Sequence, residues 1–131
     1  MGRDKQSIVY LDTHIVVWLY AGLTEKLTEN AKKAINDREV LISQMVRLEL
    51  QYLFEIGRIK AKPSNMIKSL SKSIDLRVSD CPLNEIIDES LKIRWTRDVF
   101  DRLLVAEAAV KGVGFITADK DIKTNLRQAI W

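Results

Sequence analysis

Four acids stand out in the 131-residue sequence by where they fall: Asp12, Glu49, Asp101 and Asp119. Asp12 follows directly on the apolar, β-branched run Ser7 to Leu11 (SIVYL), and Asp119 comes two residues after a similar run that ends at Thr117. In open parallel sheets ligands bind beyond the carboxyl ends of the strands, where strand order reverses, so acids at two strand ends point at one crevice. Asp101 lies in the first turn of the helical stretch DVFDRLLVAEAAVKG, and Glu49 lies among Val46, Leu48, Leu50, Leu53 and Phe54. Convergent carboxylates without as many basic partners repel one another, and a divalent cation is the ordinary remedy. Oxygen ligands without a His/Cys cluster favour Mg²⁺ or Mn²⁺ over Zn²⁺. Mg²⁺ keeps several waters and is usually held by few carboxylates plus substrate phosphates, which points to phosphoryl chemistry.

Each acid taken alone has a local alternative. Asp12 and Asp119 are good helix N-caps, and Asp101 complements a helix dipole. Asp98 reads better as a cap than as a ligand, since it precedes the helix and Arg102 sits four residues on for an ion pair. Glu49 at the margin of a core needs a partner, because an unpaired buried charge is expensive. The alternative for it is an ion pair with Arg47 or Arg102. His14, the single histidine, is expected to pack or to make an outer hydrogen bond rather than act as a base. Trp18 and Tyr20, with Leu19 and Leu23, read as core or interface before base stacking.

The elements that must position these acids alternate short β-branched runs with amphipathic helices, the pattern of an α/β fold with a parallel sheet. Strands are expected at Ser7 to Leu11, Glu39 to Ile42, Asp75 to Ser79, Gly114 to Thr117 and Ala129 to Trp131. The first helix runs from Asp12 to about Ala21, stopped by Gly22, and the second starts at Thr24 or Thr28. Ser43 caps a third that ends at Gly57, and Pro63 sits in the first turn of a fourth with Met66, Ile67, Leu70 and Ile74 apolar. Leu83 to about Ile93, Asp98 to Gly112, and Asp119 or Lys120 to about Leu126 complete the set. This predicts a single α/β/α domain, residues 1–131, with a central, mostly parallel sheet of about five strands and a flexible stretch at 1–6.

Composition narrows the classes further. With 47% hydrophobic and 30% charged residues the chain is ordinary for a soluble globular protein. No apolar run approaches the roughly 18 residues a membrane span needs, and the start does not read as a secretory signal. One cysteine, Cys81, builds no disulfide framework, so a reducing cytoplasm fits best. It also has no histidine near it in sequence to make it a nucleophile. The net charge of +3 favours an anionic partner only mildly. Arg58, Lys60, Lys62, Lys68 and Lys72 form a basic run without an acid, compatible with phosphate contacts but more often a solvated face.

Four segments together resemble the PIN-domain family, and more narrowly its VapC-type toxins from toxin–antitoxin pairs. VYLDTHIVVW (Val9 to Trp18) is similar to the family's first motif, whose metal-binding acid falls on Asp12. ISQMVRLEL (Ile42 to Leu50) resembles the second, with Glu49. RDVFDRLLVAEA (Arg97 to Ala108) is similar to the third, with Asp101, and FITADKDI (Phe115 to Ile122) to the fourth, with Thr117 and Asp119. The order and spacing match from Ile8 to Trp131. The third motif commonly has Pro where this chain has Val99, and often a histidine where it has Thr96; neither change removes an acid.

The resemblance implies a Mg²⁺- or Mn²⁺-dependent endoribonuclease with Asp12, Glu49, Asp101 and Asp119 as catalytic and metal-site residues. Thr13, Thr117, Asp98 and Arg97 would stand around them or meet the substrate, with Arg47 and Arg102 as further guides for the RNA backbone. It also implies a cognate VapB-type antitoxin covering the groove, and a homodimer, for which the helices around Trp18 and Leu53 are candidates. Two rivals differ in kind. A phosphatase of the haloacid-dehalogenase type needs an Asp-x-Asp-x-Thr motif, but His14 stands where its second acid belongs. A receiver-like or scaffold domain that only binds metal or a partner should show paired acids near its first strand, which Leu11-Asp12 does not supply.

Overall fold

The computed structural model describes residues 7–131, so the flexibility expected at 1–6 lies outside the described residues. Thirteen short elements alternate as the hydrophobic pattern requires. β1 (Ile8–Leu11) leads into α1 (Thr13–Tyr20), a 3-10 turn at Thr24–Lys26, α2 (Glu29–Asp37), β2 (Glu39–Ile42), α3 (Gln44–Glu55) and α4 (Pro63–Ile74). There follow β3 (Arg77–Val78), α5 (Leu83–Ser90), α6 (Val99–Lys111), β4 (Gly114–Ile116), α7 (Lys120–Asn125) and β5 (Ala129–Ile130).

All five strands are parallel, in the order β3-β2-β1-β4-β5. The chain therefore builds outward from β1 to β3, then returns to lay β4 against the other side of β1. That reversal makes the carboxyl ends of β1 and β4 the switch point at which a crevice must open. Val9, Tyr10, Leu11, Ile42, Phe115 and Ile116 are almost wholly buried, as expected of strands covered on both faces. α1, α2, α3 and α6 contribute Ile15, Val16, Ala31, Val46, Leu50 and Leu104 to the same core.

Helix ends follow local chemistry. Thr28, Ser43, Asp98 and Asp119 each accept a backbone N–H of the following turn. Of the two candidate starts for α2, Thr28 is the cap, and Thr24 only opens the 3-10 turn. Gly112 ends α6 at φ 65°, a conformation that costs glycine nothing. Gly114 is needed for another reason: a Cβ there would lie 2.7 Å from Ile130 Cδ1 and 2.9 Å from Arg38 Nη1.

Several boundaries depart from expectation, with β1 beginning at Ile8 rather than Ser7 and β4 ending at Ile116 rather than Thr117. Asp75 is not in a strand; it adopts the left-handed conformation (φ 55°) that ends α4, which shortens β3 to Arg77–Val78. α5 stops at Ser90, whose hydroxyl donates to the Ile87 carbonyl at 2.7 Å and competes with helix continuation. The terminal strand ends at Ile130 rather than Trp131. No helix among the described residues is long and apolar enough to cross a membrane.

One buried group stands against the economy of this core. Glu107 on α6 is 1% exposed, and its Oε2 has no hydrogen-bond partner among the described residues. It acts on the hydroxyl of Tyr10, which donates to Ser79 Oγ at 2.8 Å. Burial drives the Tyr10 phenol well above its usual range; the Ser79 bond opposes this and the Glu107 charge adds to it. Replacing a buried acid that lacks a full set of partners by its amide isostere removes the charge at almost constant volume. Glu107→Gln is therefore expected to raise stability by on the order of 1 kcal/mol at pH 8, read from urea unfolding midpoints. A lowered midpoint would mean that the carboxylate is satisfied in solution.

Candidate functional site

Asp12 is the N-cap of α1 and stands at the end of β1. Its backbone N–H continues the β1–β4 pairing by donating to the Ile116 carbonyl at 2.9 Å. The carboxylate is 7% exposed, yet both oxygens are engaged. Oδ1 accepts the Thr13 N–H at 2.8 Å, and Oδ2 accepts the Thr117 hydroxyl at 2.7 Å. Thr117, fully buried just past β4, also accepts the Asp119 N–H at 3.0 Å. One hydroxyl thus fixes the acid of β1 to the turn that carries the acid of α7.

The other two acids arrive on helices. Glu49 projects from α3, and its Oε1 accepts the buried hydroxyl of Thr13. Asp101 sits in the first turn of α6, where its N–H donates to Asp98 Oδ1 at 2.9 Å. Asp12, Glu49, Asp101 and Asp119, with Asp98, His14 and Trp18, line one cleft of about 340 Å³. A larger groove of about 640 Å³ runs between α3 and the start of α4, but its walls carry Arg47, Lys62 and no acid. Donor chemistry rather than volume selects the smaller cleft.

The expected ion pairs do not form. Arg102 donates to the Ser90 carbonyl at 3.0 Å, and Arg47 to Gln44 Oε1 at 2.7 Å. Among the described residues, salt bridges engage neither Glu49 nor Asp98 nor any of the other cleft acids. Arg97 is exposed beside the cleft's rim. His14 is not packed away but exposed, its ring 6.4 Å from that of Trp18. Cys81 lies elsewhere, and burial, aided by the charge of Glu107, pushes its thiol up and away from the reactive thiolate.

Crowded acids show the strain in their affinities for protons. Burial raises the Asp12 carboxyl above its ordinary value, against the pull of the Thr117 and Thr13 hydrogen bonds. Burial also raises Glu49, with the Thr13 bond opposing and the Asp12 charge adding. Asp101 is pushed up to about 7, first by desolvation and then by Asp98, Asp12, Asp119 and Glu49 in turn. Four neighbouring acids acting on a fifth make this a cleft that attracts positive charge.

This donor set fits a hard divalent cation. The acids offer carboxylate oxygens, and among the described residues no lysine or arginine forms a salt bridge with them; the one basic group in the cleft is His14, whose charge acts on Asp12 and Glu49. Among the described residues no three acid, histidine or cysteine side chains are drawn together as a finished ligand set.

Comparison with known proteins now adds to the geometry. Residues 9–125 match the family model of the PIN domain. The chain belongs to the PIN-domain family. Solved structures with the same fold include VapBC2 from Rickettsia felis bound to a DNA fragment from its promoter, at TM-score 0.68 and 18% identity over 93% of this chain and 95% of that one. A toxin–antitoxin complex from Klebsiella pneumoniae aligns at TM-score 0.66 and 18% identity, covering 94% and 96% of the two chains. PAE2754 from Pyrobaculum aerophilum aligns at TM-score 0.58 and 16% identity over 98% and 90%. No protein of curated function matches the sequence.

The sequence offered a signal for every acid in the cleft, but treated the cap and site roles of Asp98 as alternatives. Asp98 uses one oxygen for the cap while its charge is the largest of those acting on Asp101. What the sequence did not signal is that the hydroxyls of Thr13 and Thr117 serve different acids, Glu49 and Asp12.

The raised Asp101 makes a pH prediction. Its folded form binds the proton more tightly than the unfolded chain does, so the stabilisation is fully present below about pH 4 and is lost as pH rises through about 7. The metal-free PIN domain should therefore lose about 2 kcal/mol between those limits after allowance for solvent screening. Asp101→Asn should flatten that limb in thermal melts with EDTA present. An unchanged slope in the variant would remove Asp101 as its source.

Proposed function

We propose that this PIN domain is a Mg²⁺- or Mn²⁺-dependent endoribonuclease, the toxin of a VapBC-type pair. The observation that carries the reading is the carboxylate cleft at the β1–β4 switch point, whose acids form no salt bridge with a lysine or arginine among the described residues and include one raised to about 7. Asp12, Glu49 and Asp101 would hold the ion, directly or through water, with Asp119 completing the set. When bound, the ion supplies Lewis-acid charge at a phosphodiester and makes a water acidic enough to attack it.

The chain's own residues prepare that chemistry. Thr117 and the Thr13 N–H hold Asp12 in one orientation, and Thr13 does the same for Glu49, leaving the second oxygen of Glu49 without a protein bond. Asp98 fixes the first turn of α6 and so the position of Asp101. Arg97, exposed beside the acids, is placed to meet a phosphate of the RNA backbone.

Partners follow from the surface. The groove between α3 and α4, with Leu48, Phe54 and Ile67 on its walls and Arg47 and Lys62 at its edge, suits an amphipathic segment of an antitoxin. A homodimer face has two candidates: the helices around Trp18 and Leu53, which expose Tyr20, Leu48, Tyr52 and Ile56, and the α5 region, where Leu83, Ile87 and Leu91 are exposed. A cytoplasmic site of action and a single-domain chain complete the proposal.

The decisive measurement is cleavage of single-stranded RNA with Mg²⁺, Mn²⁺ or EDTA. Asp12→Asn and Asp101→Asn should each abolish metal-dependent cleavage while the circular dichroism spectrum stays native. Thr117→Val, which frees Asp12 without removing an acid, should cost about 10- to 100-fold in metal affinity or rate, as losses of outer partners do. Full activity of both Asn variants would sink the carboxylate site.

A further inference from the structure

Beside the carboxylates the structure places an aromatic track that the metal site does not use. His14 and Trp18 line the same cleft as Asp12 and Asp101. The Trp18 ring centroid lies 6.4 Å from that of His14 and 6.3 Å from that of Trp131, with interplanar angles of 53° and 47°. Trp131 in turn walls a neighbouring hollow of about 380 Å³ whose rim carries Arg38 and the Lys33–Asp37 ion pair. Three rings thus lead from the acids into a second depression.

Two cations lie on these rings. Lys26 Nζ is 5.3 Å from the Trp18 centroid, and Lys123 Nζ is 5.9 Å from that of Trp131. Both lysines are exposed, and neither is ion-paired among the described residues. Trp18 and Trp131 are half-buried against the main core, so their rings are held without being covered.

We infer that His14, Trp18 and Trp131 form a stacking platform for the unpaired bases of the RNA substrate, with Lys26 and Lys123 holding the flanking phosphates. This rests on the nuclease reading and names the form of substrate that site takes: single-stranded, gripped next to the scissile bond. Aromatic rings interleaved with basic side chains are the means by which proteins hold single strands without reading their sequence. A duplex keeps its bases stacked inside and offers none of them to the rings. Lysine stems are flexible, so a base can displace the ammonium from the ring face and leave it for the adjacent phosphate. The track also resolves an electrostatic difficulty, because an acidic cleft repels a polyanion and needs attachment points outside itself.

The test separates binding from cleavage. Fluorescence anisotropy, with Ca²⁺ in place of Mg²⁺, compares an end-labelled single-stranded RNA of about eight nucleotides with its abasic backbone and with a duplex of equal length. The full chain should bind the single strand about fivefold or more tightly than the abasic backbone, the lower end of what loss of one stacked base costs. Trp18→Leu and Trp131→Leu should each lower affinity toward the abasic level, while Trp18→Phe, which keeps a ring, should retain most of it. In cleavage assays the Leu variants should raise KM more than they lower kcat. Equal binding of the single strand and its abasic backbone, or no binding of either, overturns the platform, and that comparison holds even if a Leu variant fails to fold. Altered sedimentation of Trp18→Leu with unchanged RNA affinity also overturns it and makes the face a contact between copies. A chain that binds bases as described yet cleaves nothing with Mg²⁺ refutes the nuclease reading and leaves the platform standing.

Discussion

The hydrogen bond from Thr117 to Asp12 joins the two strands whose separation defines the site. A carboxylate that is 7% exposed survives only if its oxygens are occupied, and the structure occupies one from its own helix and the other from across the sheet. That second bond spans 105 residues of sequence. It exists because β4 returns to β1 after two strands, β2 and β3, have been laid on the other side. Everything else in the cleft is arranged around an acid that the fold itself has pinned.

The remaining acids are placed against their own electrostatics. Burial and mutual repulsion act in the same direction on Asp101, and no salt bridge among the described residues relieves it. A fold that needed only stability would have paired these charges or removed them. Retaining them sacrifices some stability for a site ready to take up positive charge, the trade commonly found at catalytic centres.

Capping reconciles two roles that look exclusive. A helix N-cap uses one side-chain oxygen, and a carboxylate has two. Asp98 and Asp119 cap α6 and α7 through Oδ1 and still face the cleft. The first turns of α1, α6 and α7 thus gather around one space, and their N-terminal dipoles moderate the concentration of negative charge there. Thr13 adds a further economy: its backbone serves Asp12 and its hydroxyl serves Glu49.

Much of this was legible before the fold was known. Short β-branched runs located the five strands, the central ones buried on both faces, and period-3.6 patterning located the seven α-helices, because burial imposes those patterns locally. Errors fell where local chemistry competes with pattern, as at Asp75, whose left-handed turn ends α4 inside an apparently extended run. The family and the four acids were legible because motif order along the chain reflects strand ends, and strand ends are local. Partner choice was not. Arg102 turned to the Ser90 carbonyl and Arg47 to Gln44, leaving Glu49 to Thr13, since a side chain's nearest donor depends on how helices pack and not on sequence spacing. His14 looked like a packed residue from its apolar neighbours, but at an early helical position its direction is set by which face of α1 meets the core. Sequence by itself determined which acids existed to be gathered. Only the tertiary structure decided that they stand unneutralised in one cleft, because the strand order that brings β4 beside β1 is a property of the whole chain.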